Sequence, residues 1–137
     1  MEKTIGFIIT AGHLDIEWYQ PLNSYRFWTV EAFEDLLAAS NRSDFKSYVL
    51  DGQVFPLEEY LEVVPEDEAR IRDLIKDGKL AIGPFYTQFD EWIPSTENMI
   101  RNCLYGKRKA EKLGGYMCAG YLPDNFGHPL QMPQILQ

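Results

Sequence analysis

Short continuous apolar runs alternate along this chain with stretches in which apolar residues return every three or four positions, and turn-forming residues mark each change of period. Thr4–Thr10 (TIGFIIT), closed by Ala11-Gly12, has the unbroken β-branched content of a parallel strand buried on both faces. Helical spacing follows from Tyr25 to about Ala39, carried by Phe27, Val30, Phe33, Leu36 and Leu37, with Trp28 assigned to the core. Lys46–Leu50 reads as a second strand ending at Asp51-Gly52, and Leu57–Leu61 as a short helix. Pro65–Asp77 reads as a longer helix, with Pro65 and a run of acids at its start and Gly78 as its stop. Lys79–Gly83 is the third predicted strand. A helix capped by Ser95 runs to about Leu113, where Gly114-Gly115 ends it. Tyr116–Leu122 is the fourth predicted strand, and Leu130–Leu136 begins another helix.

Strands that alternate with helices predict an α/β fold with a mostly parallel β-sheet and flanking helices. In such sheets chemistry gathers beyond the carboxyl ends of the strands. Those ends are His13 to Trp18, Asp51 to Gln53, Phe85 to Trp92 and Pro123 to His128, so a parallel order puts all of them on one rim. The 137 residues suffice for one core, and the chain stops within an apolar, helix-like segment, which suggests a piece of a longer polypeptide.

Composition narrows the classes of partner. A net charge of −8 leaves no basic stripe for nucleic acid and disfavours an anionic membrane surface. Ile5–Ala11 is too short to span a bilayer and lacks the flanks of a signal peptide. Cys103 and Cys118 have no metal-ligand spacing and read as buried free thiols of a reducing, cytoplasmic protein.

The candidate chemistry lies on the rim. His13-x-Asp15 can turn an imidazole and a carboxylate to one side of an extended segment, a donor pair suited to zinc, manganese or iron. Both histidines of the chain, His13 and His128, fall there, and so does Asp124, in a Pro-Asp-x-Phe-Gly loop where a third ligand or an ordinary turn aspartate is equally placed. Trp18 and Trp92 flank these segments and offer either sugar-stacking faces or core packing.

HLDIEWYQPL, YVLDGQ, GPFYTQFDEW, IRNCLYG and GYLPDNFGHPLQMPQIL, in this order and spacing, resemble glycoside hydrolase family 38, the α-mannosidases, over essentially the whole chain. The blocks are most similar to the bacterial branch that includes mannosylglycerate hydrolase. The resemblance implies that residues 1–137 are the N-terminal part of a catalytic domain resembling a distorted β/α barrel. It implies a zinc-dependent retaining glycosidase that removes terminal α-linked mannose through a covalent aspartyl intermediate. His13, Asp15 and Asp124 would be zinc ligands, and Asp124 also the nucleophile. Trp18 and Phe126 would shape the sugar subsite, and Asp51, Asp90 and Glu91 would support ligands or bind hydroxyls. Phe85 stands where many relatives carry tryptophan and would keep an aromatic wall. The fourth zinc ligand and the acid/base aspartate are expected beyond residue 137, from the remainder of the parent enzyme. His128 could close the metal site in a truncated chain, although the family does not use that position. The piece alone would therefore bind zinc weakly and lack turnover. A homo-oligomer is compatible with this reading. A metal-dependent carbohydrate deacetylase and a non-catalytic carbohydrate-binding module are the competing classes.

Overall fold

A computed structural model describes residues 3–137. Its order is α1 (Leu22–Ser40), β1 (Tyr48–Val49), α2 (Phe55–Val63), a 3₁₀ turn (Pro65–Asp67), α3 (Glu68–Lys76), β2 (Leu80–Ala81), α4 (Thr96–Leu113) and α5 (Met132–Ile135). Each helix forms where an apolar stripe can be buried. In α1 the buried stripe is Tyr25, Thr29, Phe33 and Leu37, one residue per turn. Trp28 lies off that stripe, half exposed and edge-on to Tyr25, so it is not a core residue. The helix predicted from Pro65 is divided: its first turn tightens to 3₁₀, and the α-helix starts at Glu68. Helix α4 begins as its cap predicts, with the Ser95 hydroxyl oxygen accepting from the Asn98 N–H at 3.3 Å. It ends at Gly114, whose φ of 128° few other residues adopt.

β1 and β2 pair in parallel, Tyr48 opposite Leu80 and Val49 opposite Ala81. Isolated parallel bridges join Ala11 to Val49 and Gln53 to Phe85. The Met117 N–H donates to the Ile82 carbonyl at 2.8 Å. Spatial order thus follows chain order, from the segment before Gly12, through β1 and β2, to the segment after Tyr116.

The expected sheet is nonetheless much reduced. Thr4–Thr10 is not a strand: its ladder is confined to the Val49 N–H donating to the Thr10 carbonyl and the Gly12 N–H donating to the Val49 carbonyl. It is not buried either, Ile8 being 99% exposed. Tyr116–Leu122 likewise lacks strand structure, and Cys118 within it is exposed rather than buried. Apolar content records which side chains avoid water; a ladder also needs an adjacent backbone long enough to pair with. The short β1 and β2 offer too little of one.

The core lies between the helices and the two strands. Phe33, Leu57, Tyr60, Ile71, Leu80, Ile82 and Ala110 are its centre. Phe33 stacks on Tyr60 with ring centroids 4.6 Å apart and 15° between planes, locking α1 to α2. Arg26 adds polar ties between the same helices, reaching Glu62 at 2.5 Å and the buried Glu59. A smaller cluster of Phe85, Cys103 and Met132 lies under α4 and α5. There α4 runs so close to the Pro84–Tyr86 backbone that a Cβ on Gly106 would lie 2.3 Å from the Phe85 carbonyl carbon. That approach fixes the segment after β2.

Candidate functional site

The polar residues that follow β1 organise the rim. Asp51 takes up φ 47°, a left-handed backbone unusual outside glycine, and its side chain is fully buried. Its carboxylate accepts from the Leu14 N–H at 3.0 Å, from Gln53 Nε2 at 2.8 Å and from His13 Nδ1 at 3.0 Å. An ionised carboxylate only accepts, so the proton of a neutral His13 belongs on Nδ1 and the Nε2 lone pair faces outward. Outward lie Asp15, with its Oδ1 3.4 Å from Nε2, and Asp124, with its Oδ2 at 3.7 Å. Burial works against a charge on His13, but the Asp51 hydrogen bond and the carboxylates of Asp51, Asp15 and Asp124 outweigh it. The imidazole is held above its ordinary pKa.

Gln53 and Gln88 extend this framework. Gln53 Nε2 also donates to the Leu14 carbonyl at 3.1 Å, while its Oε1 accepts from the Gln88 N–H at 3.1 Å. Gln88 Nε2 in turn donates to the carbonyls of Asp51 and Tyr121, the latter at 2.9 Å. Side chains therefore join the segments ending the first and fourth predicted strands where sheet hydrogen bonds do not. Neither glutamine was singled out by sequence as a functional residue. Their one signal was position, directly after predicted strands.

An open cleft of about 170 Å³ runs over this framework. Of the residues assigned to the site from sequence, His13, Asp15, Trp18, Asp90, Asp124 and Phe126 line it, whereas Asp51 and Glu91 are buried and do not. Asp51 lies beneath, sealed from solvent. The volume is below the roughly 300 Å³ at which whole ligand pockets begin, so these residues form one wall of a site. Phe85 is not part of that wall. It is completely buried and edge-on to Phe89 at 5.2 Å, a core role for which its large apolar ring suffices. His128 is engaged elsewhere, its Nδ1 2.7 Å from Glu91 Oε1. Trp92 is exposed and lies beside Gly127.

The donor set suits a borderline metal such as zinc, with one imidazole nitrogen and two carboxylates. Two ligands of a tetrahedral zinc, each bonded at 2.0–2.2 Å, lie about 3.3–3.6 Å apart. The separations from His13 to Asp15 and Asp124 are close to that edge length. Among the described residues, no three His, Cys, Asp or Glu side chains stand together as a group that could hold a metal ion. The set is compatible with the ion but open. Also among the described residues, no helix is long and apolar enough to cross a membrane.

Known proteins supply the context. The family model for the glycosyl hydrolases family 38 N-terminal domain matches residues 3–137. The "Putative mannosylglycerate hydrolase" of Halalkalibacterium halodurans is 41% identical over 138 residues, covering 99% of this chain and 15% of that protein. Alpha-mannosidase G of Dictyostelium discoideum is 28% identical, with 91% of this chain and 12% of that protein covered. The crystal structure of an alpha-mannosidase from Enterococcus faecalis V583 superposes with a TM-score of 0.87 at 36% identity, over 93% of this chain and 15% of that one. This chain thus spans about 12–15% of the length of these relatives. The family model and the superposition agree over nearly the whole described chain, and the chain belongs to the N-terminal domain of glycosyl hydrolase family 38.

Proposed function

We propose that residues 1–137 are the N-terminal part of the catalytic domain of a zinc-dependent retaining glycoside hydrolase. Its substrate is a terminal α-linked mannose, carried by a mannoside or by mannosylglycerate. The observation that carries this reading is the His13 imidazole, fixed by buried Asp51 so that Nε2 faces both Asp15 and Asp124. A carboxylate beneath a histidine is the usual support for a metal ligand, setting its tautomer and its direction. Of the two roles open to Asp51, support of His13 therefore fits its burial, and hydroxyl binding does not. The names carried by the relatives support the mannose-type substrate.

In this reading His13, Asp15 and Asp124 hold one Zn²⁺, with the fourth ligand supplied by the remainder of the parent enzyme. Bound there, zinc supplies a fixed positive charge that keeps the neighbouring carboxylates ionised. The Asp124 carboxylate attacks the anomeric carbon and the glycosidic oxygen leaves, giving a glycosyl ester. A second carboxylate, about 5–5.5 Å away in retaining enzymes, protonates the leaving oxygen and then activates water to hydrolyse the ester. That residue also belongs to the rest of the parent. Trp18 and Phe126, both exposed at the cleft, give apolar faces for the ring, and Asp90 binds hydroxyls. A cytoplasmic location accords with two unpaired cysteines.

The test is to trap the full-length protein with a fluorinated α-mannosyl probe and map its peptides. The expected result is one covalent sugar, on Asp124. A label on another residue rejects the nucleophile assignment. Chelator-sensitive deacetylation with no adduct would mark a carbohydrate deacetylase. Sugar affinity that survives both chelation and His13→Ala would mark a binding module.

A further inference from the structure

We propose that Glu91 and His128 form a clamp that positions Asp124, a role resting on the reading of Asp124 as the nucleophile. Among the described residues, no backbone–backbone hydrogen bond ties residues 118–128 to any other element. The loop that carries Asp124 is held by side chains instead. Gln88 reaches the Tyr121 carbonyl, Leu122 packs against the Phe85 cluster, and beyond Asp124 the loop is attached through residues 91 and 92.

The Glu91 N–H donates to Asn125 Oδ1 at 3.2 Å, and the Glu91 carboxylate accepts from His128 Nδ1 at 2.7 Å. Between those two points the loop passes against Trp92, where a Cβ on Gly127 would lie 3.0 Å from the indole Nε1. The N–H of Trp92 donates in turn to Asp90 Oδ1 at 3.0 Å, which tightens the turn that presents both residues. The loop is gripped on either side of Phe126, and Asp124 precedes the first gripped residue.

Glu91 is an expensive choice for a purely structural contact. The residue is 2% exposed, and its Oε2 has no hydrogen-bond partner among the described residues. A buried carboxylate with an unsatisfied oxygen costs stability that a well-packed apolar side chain of similar volume would not. What the carboxylate provides is direction, because its bond to His128 has a defined length and angle and apolar packing has neither. Catalysis by a nucleophile depends on that kind of placement: a misplacement of about 1 Å can cost on the order of 10²-fold in rate.

The experiment compares His128→Ala, His128→Asn, Glu91→Gln and Glu91→Leu in the full-length protein. Hydrogen exchange over residues 121–128 is the first readout, with α4 as the internal reference; kcat and KM on an aryl α-mannoside are the second. His128→Ala and Glu91→Leu should deprotect the loop but not α4, and lower kcat by about 10²-fold with little change in KM. Asn offers a donor near the Nδ1 position and Gln keeps an acceptor oxygen, so both variants should recover most of the protection and rate. Unchanged exchange in His128→Ala, equal loss in the Ala and Asn variants, or deprotection shared with α4 overturns the clamp. Exchange needs no substrate. A loosened loop in a protein that never turns over the mannoside would sink the glycosidase reading and leave the clamp standing.

Discussion

The middle of the chain and its two outer segments are held by different forces. From Leu22 to Leu113, helices and strands bury two apolar clusters, and backbone bonds set the path. From Thr4 to Gln20 and from Tyr116 to Gln131 there is neither helix nor named strand, yet these segments carry His13, Asp15, Asp124 and Phe126. Apart from backbone bonds at Thr10, Gly12 and Met117, side chains projecting from the middle hold them, among them Asp51, Gln53 and Gln88. The fold provides a rigid bench, and polar contacts mount the reactive groups on it. Stability and chemistry should therefore respond to different substitutions.

The largest separation is expected in the core. Phe33→Ala, which removes a buried ring stacked on Tyr60, should lower unfolding free energy by about 3–5 kcal/mol in denaturant titration. Ile8→Ala, in an exposed outer segment, should fall within about 0.5 kcal/mol of the parent chain. Equal losses at the two positions would erase the contrast.

Asp51→Ala tests the mounting contact. Metal affinity of the full-length protein, measured by chelator competition, should fall by about 10–100-fold. The α4 amides should keep their exchange protection. Unchanged affinity would mean that His13 needs no orientation from Asp51.

The smallest effect is electrostatic and belongs to the middle region. Burial and the neighbouring Glu58 push the Tyr86 hydroxyl up to about 12 from an ordinary value near 10. A folded-state pKa raised above the unfolded one adds stability that is complete below the unfolded value and is lost as pH rises through the folded one. The parent protein should therefore lose stability between about pH 10 and 12. Tyr86→Phe should flatten that part of the profile, as read by the denaturation midpoint across the range. An unchanged slope would assign the loss to other groups.

Much of the bench was legible in the sequence because its signals are local. Ser95 and Gly114 bracket α4 with the residue types that caps require, and Phe33 and Leu37 share a helical stripe. The rim was legible too, since the segments following the four predicted strands were easily located, and the assigned residues other than the buried Asp51 and Glu91 line one cleft. What local pattern could not supply was partnership. The TIGFIIT segment has strand composition, but pairing depends on how much backbone Tyr48–Val49 offers beside it. Phe85 read as a wall residue because the family resemblance places an aromatic wall there; its burial is decided by α4 and α5, which come later in the chain. Trp28 falls within a helical pattern, and only the placement of α2 against Phe33 determines which side of α1 is covered.

The Gln53 amide has a consequence for how such a site can vary or be transplanted. Its nitrogen serves Leu14 and Asp51, and its oxygen serves Gln88, which serves Tyr121. A change at Gln53 alters the setting of both outer segments at once, and a change at Gln88 cannot restore the bonds to Leu14 and Asp51. Substitutions at these positions are bound to be epistatic, with coupling of about 0.5–3 kcal/mol for groups in one network. Any lineage or design that replaces one glutamine has to re-solve Asp51, Gln53 and Gln88 as a single unit of inheritance.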